Sequence, residues 1–300
     1  MNRQRTFNPV SASPVVVLGA TGQVGHFLLK RLIGGGSPVI AISRRVPAWS
    51  HTHLTWLQQD LNHETMSVRS SIMLSAGPLQ LALKQAFHMS SLNRLIALSS
   101  ASTRFKQHSS DPAEQGMIER LIDTESQLIE MAKRRGIALT LLKPTLIHGG
   151  PGPQALDPIR EWMRQHRLVP VAGNGLRQPV HADDLATLMA RLITRRPNQP
   201  ESFELGGGET LPYADFLRRI ASGTGREIRI VRIPAWCLAP SLRAVHLFGR
   251  MPGITPAMLR RQRMDLVIDD HDAREQLGWN PRPFRPVPDA PKSKSSAELP

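Results

Sequence analysis

The chain has 300 residues, 40% of them apolar, enough for one large or two unequal domains with a real core. No run approaches the roughly 18 apolar residues of a membrane helix, and the single cysteine, Cys237, excludes an internal disulfide and a cysteine-rich metal site. The net charge of +14 invites a nucleic-acid reading, but it is spread evenly. Residues 1–150 hold 16 basic against 8 acidic side chains and residues 151–300 hold 22 against 16, with no basic arm in either half. Nucleic acid is therefore not the expected partner. A small anionic molecule fits diffuse charge better, with peripheral contact at a membrane surface as the alternative. The default compartment is cytoplasmic and reducing.

Val15 to Leu18 is a short β-branched run, the pattern of a buried parallel strand. Gly19-Ala20-Thr21-Gly22-Gln23-Val24-Gly25 follows at once. An amphipathic run, His26 to Leu32, then leads through Gly34-Gly35-Gly36 to a second apolar strand, Val39 to Ile42. Glycines at 19, 22 and 25 between a strand and a helix predict a dinucleotide-binding turn. Gly19 allows the tight turn, Gly22 lets the chain approach a pyrophosphate, and Gly25 lets the helix pack on the sheet. Backbone N–H groups at the helix start then face the phosphate charge. The second strand runs into Ser43-Arg44-Arg45. An acid there would bond ribose hydroxyls, whereas guanidiniums suit a 2′-phosphate. NADP(H) is the expected cofactor and NAD(H) the alternative.

Further strands are expected at Leu54–Gln58, Ser71–Ser75, Arg94–Leu98 and Leu139–Leu142. They end in Asp60-Leu61, Ala76-Gly77, Ser99-Ser100 and Lys143-Pro144. Their alternation with helical patterns predicts an α/β fold, a doubly wound parallel (Rossmann) sheet over residues 13–150 with a return near 178–205. After the loop Gly149-Gly150-Pro151-Gly152-Pro153 the texture changes. Helices are expected at Ile159–His166 and at Leu185–Ile193, the second with Asp183 or Asp184 as N-cap. Residues 151–177 and 206–285 form a smaller C-terminal substrate domain. Residues 286–300, rich in Pro, Ser and Lys, are expected to be disordered.

In this order and spacing the motifs resemble the extended short-chain dehydrogenase/reductase superfamily, in particular the NAD-dependent epimerase/dehydratase group and its atypical relatives. The markers are Gly19 to Gly25, Asp60-Leu61, Leu98-Ser99-Ser100, Lys143-Pro144-Thr145 with His148-Gly149, Gly173-Asn174-Gly175 running into Arg177 to Asp184, and Ala273 to Pro281. The resemblance covers roughly residues 13–285. It implies that Asp60 bonds the adenine amine and Leu61 flanks the ring. Ala76 and Gly77 would line the pyrophosphate and ribose, and Pro144 would lie near the nicotinamide amide. Arg177 and Arg274 would hold a nucleotide diphosphate, and His148 would face the substrate.

The family's chemistry uses a Tyr-x-x-x-Lys pair on the helix after the fifth strand. Alignment back from Lys143-Pro144 puts Glu125 on a family glutamate and the Tyr and Lys positions on Met117 and Leu121. The Ser position falls on Ala101, between Ser100 and Ser102. The one tyrosine, Tyr213, is far away in the chain. No catalytic residue is therefore assigned. Three readings stay open: an oxidoreductase or epimerase-like enzyme with a substitute proton donor, His148 or Ser100; a non-catalytic cofactor binder acting as a redox sensor or in quinone-pathway or assembly work; and an active nucleotide-sugar epimerase or dehydratase. Trp236, Leu238, Leu242, Val245, Leu247 and Phe248, among Arg243, Arg250, Arg260, Arg261 and Arg263, are the candidate membrane-facing group.

Overall fold

The structure is a computed structural model that describes residues 13–107, 109, 111–152, 154–233 and 256–286. In chain order it runs β1 (Val15–Leu18), α1 (Gln23–Gly34), β2 (Val39–Ser43), β3 (Leu54–Gln58), β4 (Ile72–Ser75), α2 (Leu79–His88), β5 (Arg94–Leu98), α3 (Ser102–Phe105), α4 (Pro112–Arg135) and β6 (Ala138–Pro144). The second half adds β7 (Ile147–His148), α5 (Asp157–Gln165), β8 (Leu168–Val171), β9 (Leu176–Arg177), β10 (Val180–His181) and α6 (Ala182–Arg191). It continues with β11 (Glu201–Leu205), β12 (Leu211–Pro212), α7 (Tyr213–Ser222), β13 (Arg229–Arg232), α8 (Pro256–Arg263) and α9 (His271–Leu277).

Seven parallel strands form one sheet in the order β11-β6-β5-β4-β1-β2-β3. This is the doubly wound Rossmann order with one strand added beyond β6. The strand order reverses between β1 and β4, so a crevice opens there at the carboxyl ends. The central strands are buried because their residues are apolar on both faces: β1 is at most 4% exposed at any position. One face is covered by α1, α6 and α9, through Val24, Leu28, Leu32, Leu185, Met189 and Leu277. The other is covered by α2 and α4, through Leu79, Ala82, Leu128 and Met131. A third, separate core joins α5, β8 and α7 around Met163, Phe216, Leu217 and Phe284.

Local signals set the helix ends. The Asp111 carboxylate accepts from the Ala113 and Glu114 N–H groups, and Pro112 occupies the first turn of α4. Gly136, at φ +63°, closes that helix behind Lys133, Arg134 and Arg135. One expectation needs correction. The cap of α6 is His181, whose Nδ1 accepts from Asp183 N at 3.1 Å; neither aspartate caps it. The return segment also contributes a whole strand, β11, paired with β6 from Glu201 to Leu205.

Away from the crevice, at the amino end of β5, Arg94 is fully buried. Its guanidinium donates to the carbonyls of Leu95, Ala138 and Leu192 and to Thr140 Oγ1. Three elements are thereby clamped at the bottom of the sheet.

Candidate functional site

The turn between β1 and α1 is shaped by close backbone approach. Gly19 has φ +70°, and a Cβ there would lie 2.6 Å from the Gly77 nitrogen. A Cβ on Gly25 would lie 2.1 Å from the Gly19 carbonyl oxygen. The chain's own packing therefore demands both glycines. Gly22 is different. Its backbone is ordinary extended, φ −79° and ψ 176°, and a Cβ would meet only the Gly19 oxygen at 3.2 Å. The backbone conformation does not require glycine here, and that oxygen is the one close contact a Cβ would make among the described residues. As N-cap of α1 it brings no capping side chain, and the first turn carries no acidic residue. The positive end of this 12-residue helix thus receives no side-chain anion from its own cap or first turn. A phosphate fits this cradle.

Around the turn, Thr21 Oγ1 lies 3.3 Å from Ser43 Oγ and so ties the turn to the end of β2. Gln23 Nε2 donates to the Gly149 carbonyl, and Val24 is buried in the core. The Ser43 hydroxyl donates to the Arg45 carbonyl, and both Arg44 and Arg45 are exposed. Asp60 Oδ1 accepts from the Asn62 N–H and from Asn62 Nδ2. The backbone N–H of Asn62 is the main cause holding the Asp60 carboxyl below its ordinary value. Leu61 is only 6% exposed and packs in the core with Val16, Leu18 and Ile42. At the end of β4, Ala76 and Gly77 lie against Gly19. The Ser75 hydroxyl just before them is fully buried and has no hydrogen-bond partner among the described residues.

At the ends of β5 and β6 the polar groups are arranged in a way the sequence did not disclose. Lys143 Nζ lies 2.6 Å from Glu125 Oε2, and the Ser99 hydroxyl donates to Glu125 Oε1. Glu125 is 8% exposed at its side chain and Lys143 20%. The signals available were an acid inside the apolar stripe of α4 and a cation ending a buried strand. Ser100 Oγ lies 2.7 Å from Ser102 Oγ, Ala101 is fully buried, and the Pro144 carbonyl accepts from Ala101 N. Met117 is 50% exposed, and Leu121 packs at the edge of the core.

The residues expected at a substrate are engaged elsewhere. Arg177 donates to the carbonyls of Leu176, Arg261 and Met264, and its guanidinium lies 4.7 Å over the Tyr213 ring. Arg274 pairs with Asp270 one turn earlier. His148 is 1% exposed, enclosed by the rings of His181 and Phe284. Burial above all, then His181 and nearby arginines, hold its imidazole down at about 3, so it is neutral near pH 7. Burial pushes the Tyr213 phenol up. Of the candidate membrane-facing group, residues 236–250 lie outside the described residues. Arg261 is described, and it binds both Glu114 oxygens at 2.7 and 3.0 Å. No helix among the described residues is long and apolar enough to cross a membrane.

Known proteins share this architecture. Residues 15–142 match the NAD dependent epimerase/dehydratase family. A UDP-glucose 4-epimerase of Vibrio cholerae is 24% identical over 162 residues, which cover 53% of this chain but only 47% of that protein. Quinone oxidoreductase 2 of Escherichia coli (strain K12) is 22% identical over 248 residues, covering 78% of this chain and 82% of that one. Among solved structures, MoeE5 in complex with UDP-glucuronic acid and NAD superposes with a TM-score of 0.64 at 17% identity, over 91% of this chain and 95% of MoeE5. The terminal R domain of the myxalamid PKS-NRPS biosynthetic pathway gives 0.67 at 15% identity, over 94% and 90% of the two chains. The match to the NAD dependent epimerase/dehydratase family thus covers residues 15–142, and the strand order and the glycine cradle give the chain the doubly wound Rossmann fold of these structures.

Proposed function

We propose that this chain binds NADP(H) across the carboxyl edge of its sheet and acts as an atypical two-electron reductase of a small carbonyl or quinone-like acceptor. The observation that carries this reading is Gly22, a glycine of ordinary backbone conformation at a helix start that no side chain caps. Gly22 and the first turn of α1 would hold the pyrophosphate. Arg44 and Arg45, exposed at the end of β2, would take the 2′-phosphate. Asp60 would accept from the adenine amine, and Ala76, Gly77 and Pro144 would line the passage toward the nicotinamide. Bound there, the cofactor supplies a hydride. The similarity to a quinone oxidoreductase over 82% of that protein supports reduction over epimerisation.

We leave Arg177, Arg274 and His148 out of the substrate contacts, because each already has partners inside the protein. A second reading, cofactor binding without chemistry, is favoured by Met117 and Leu121, which stand where the family places Tyr and Lys and carry no transferable proton. The test of binding is fluorescence titration with NADPH. Wild type should saturate, and Gly22→Val should fold yet fail to bind. Saturation of both proteins alike would refute the site.

A further inference from the structure

We propose that Lys143, held by Glu125 and through it by Ser99, is the proton source that takes the place of the missing tyrosine. The inference rests on the cofactor reading above. Met117, Leu121 and Glu125 are spaced by four residues along α4, so they follow one face of that helix. The face is 50% exposed at Met117, part-buried at Leu121 and buried at Glu125. Met117 and Leu121 carry no transferable proton, and the next position along this face holds a carboxylate. That carboxylate reaches β6 and meets an ammonium at 2.6 Å.

The placement suits the chemistry. Lys143 and Ser99 stand at the carboxyl ends of β6 and β5, on the edge where a doubly wound sheet binds its ligand. Three strand spacings separate β6 from β1, about 14 Å at roughly 4.8 Å each. That is a reach suited to the nicotinamide half of a dinucleotide whose pyrophosphate sits at the glycine turn. The Lys143 side chain is 20% exposed, so its pair with Glu125 is fixed but not sealed. Among the described residues, Glu125 binds only Lys143 and Ser99 through its side chain.

An acceptor carbonyl carbon gains a hydride, with its electron pair, from the reduced nicotinamide C4. The acceptor oxygen takes a proton from Lys143 Nζ. One C–H and one O–H bond form, and the C4–H and Nζ–H bonds break. Oxidised nicotinamide and a neutral amine remain, and the amine regains a proton from solvent at its exposed side. Glu125 and Ser99 are positioning residues. They keep the ammonium at the sheet edge and change no bond.

The test compares wild type, Lys143→Arg and Glu125→Gln. Arginine keeps the charge and can still pair with Glu125, but it does not release a proton. The first readout needs no turnover. In protein labelled with ¹⁵N at lysine Nζ, the signal absent from Lys143→Arg identifies Lys143. That signal should move on saturation with NADP⁺ but not with adenosine 2′,5′-bisphosphate, which lacks the nicotinamide. Equal response to both nucleotides would overturn the proposal. Failure of either nucleotide to bind would overturn the cofactor reading instead. The second readout is NADPH oxidation by 9,10-phenanthrenequinone. Lys143→Arg should keep its thermal stability and NADPH affinity while losing about a hundredfold or more in rate. Glu125→Gln should lose less, and Glu125→Asp should recover part of that loss. An arginine variant as fast as wild type, or a wild type whose Lys143 signal ignores the nicotinamide, would contradict the assignment.

Discussion

The backbone of Gly77 lies so close to Gly19 that a Cβ on Gly19 would sit 2.6 Å from the Gly77 nitrogen. This contact locks the end of β4 to the turn after β1 and fixes the crevice between them. Gly19→Ala should therefore destabilise the fold by about 2 kcal/mol or more, from the clash and from the left-handed backbone together. Gly22→Ala should cost less, about 1 kcal/mol, since its backbone is ordinary and the single close contact of a Cβ is the Gly19 oxygen at 3.2 Å. Denaturant melts compare the two. Equal losses would show that Gly22 is structural and would remove the main support for a ligand there.

His148 and His181 give the molecule an acid-sensitive point. Both imidazoles are held below their ordinary values, mainly by burial, and His148 sits at about 3. Groups facing them are Arg160 and Arg282, which oppose protonation, and Asp183 and Asp184, which favour it at His181. The unfolded chain takes up these protons near pH 6.5, and the folded chain does not. Stability contributed by neutral His148 is thus full above pH 6.5 and falls as the pH drops toward 3. Between pH 6.5 and 5 the loss should be about 2 kcal/mol. Urea melts of His148→Phe should show a shallower fall over that interval. An unchanged pH dependence would refute this account of the cluster.

Tyr213 is the one tyrosine, and the proposed reaction should not depend on it. It opens α7 in the third core, beneath the Arg177 guanidinium, and its phenol is pushed up by burial. Tyr213→Phe should leave quinone-dependent NADPH oxidation within about threefold, since a general acid contributes roughly a hundredfold or more. A loss of that size with NADPH affinity intact would reassign the proton donor.

UDP-glucose should remain unconverted over hours in the presence of either nicotinamide cofactor. Met117 and Leu121 offer no proton, and Arg177 and Arg274, which could hold a diphosphate, are already paired. The anomeric proton signals, followed by NMR at several protein concentrations, provide the check. A protein-dependent epimer would show that another side chain has taken over the tyrosine's role.

Six strands of the sheet were legible because a buried parallel strand reads as an apolar run, as in Val15 to Leu18 or Leu95 to Leu98. The seventh, Glu201–Leu205, carries two glutamates and has one partner strand, so its sequence reads as polar. The glycine turn was legible because its spacing is local. The partners of charged residues were not. Arg177 spends its guanidinium on carbonyls of residues 261 and 264, and Lys143 meets Glu125 from 18 positions away. Sequence order carries no trace of which distant groups the topology brings together. The cap of α6 shows the same limit on a smaller scale. Asp183 and Asp184 look like caps, but Arg31 and Arg282 claim Asp183 and Arg282 also claims Asp184, leaving the cap to His181.

The central claim is that the cradle and the two arginines bind a 2′-phosphorylated nicotinamide dinucleotide. Fluorescence titration of wild type and of the Arg44→Ala/Arg45→Ala double variant with NADPH and NADH tests it most directly. Wild type should bind NADPH at least tenfold more tightly than NADH, about 1.4 kcal/mol, and the double variant should lose that preference while keeping its NADH affinity. Equal affinity of wild type for the two nucleotides, or binding of neither, would contradict it.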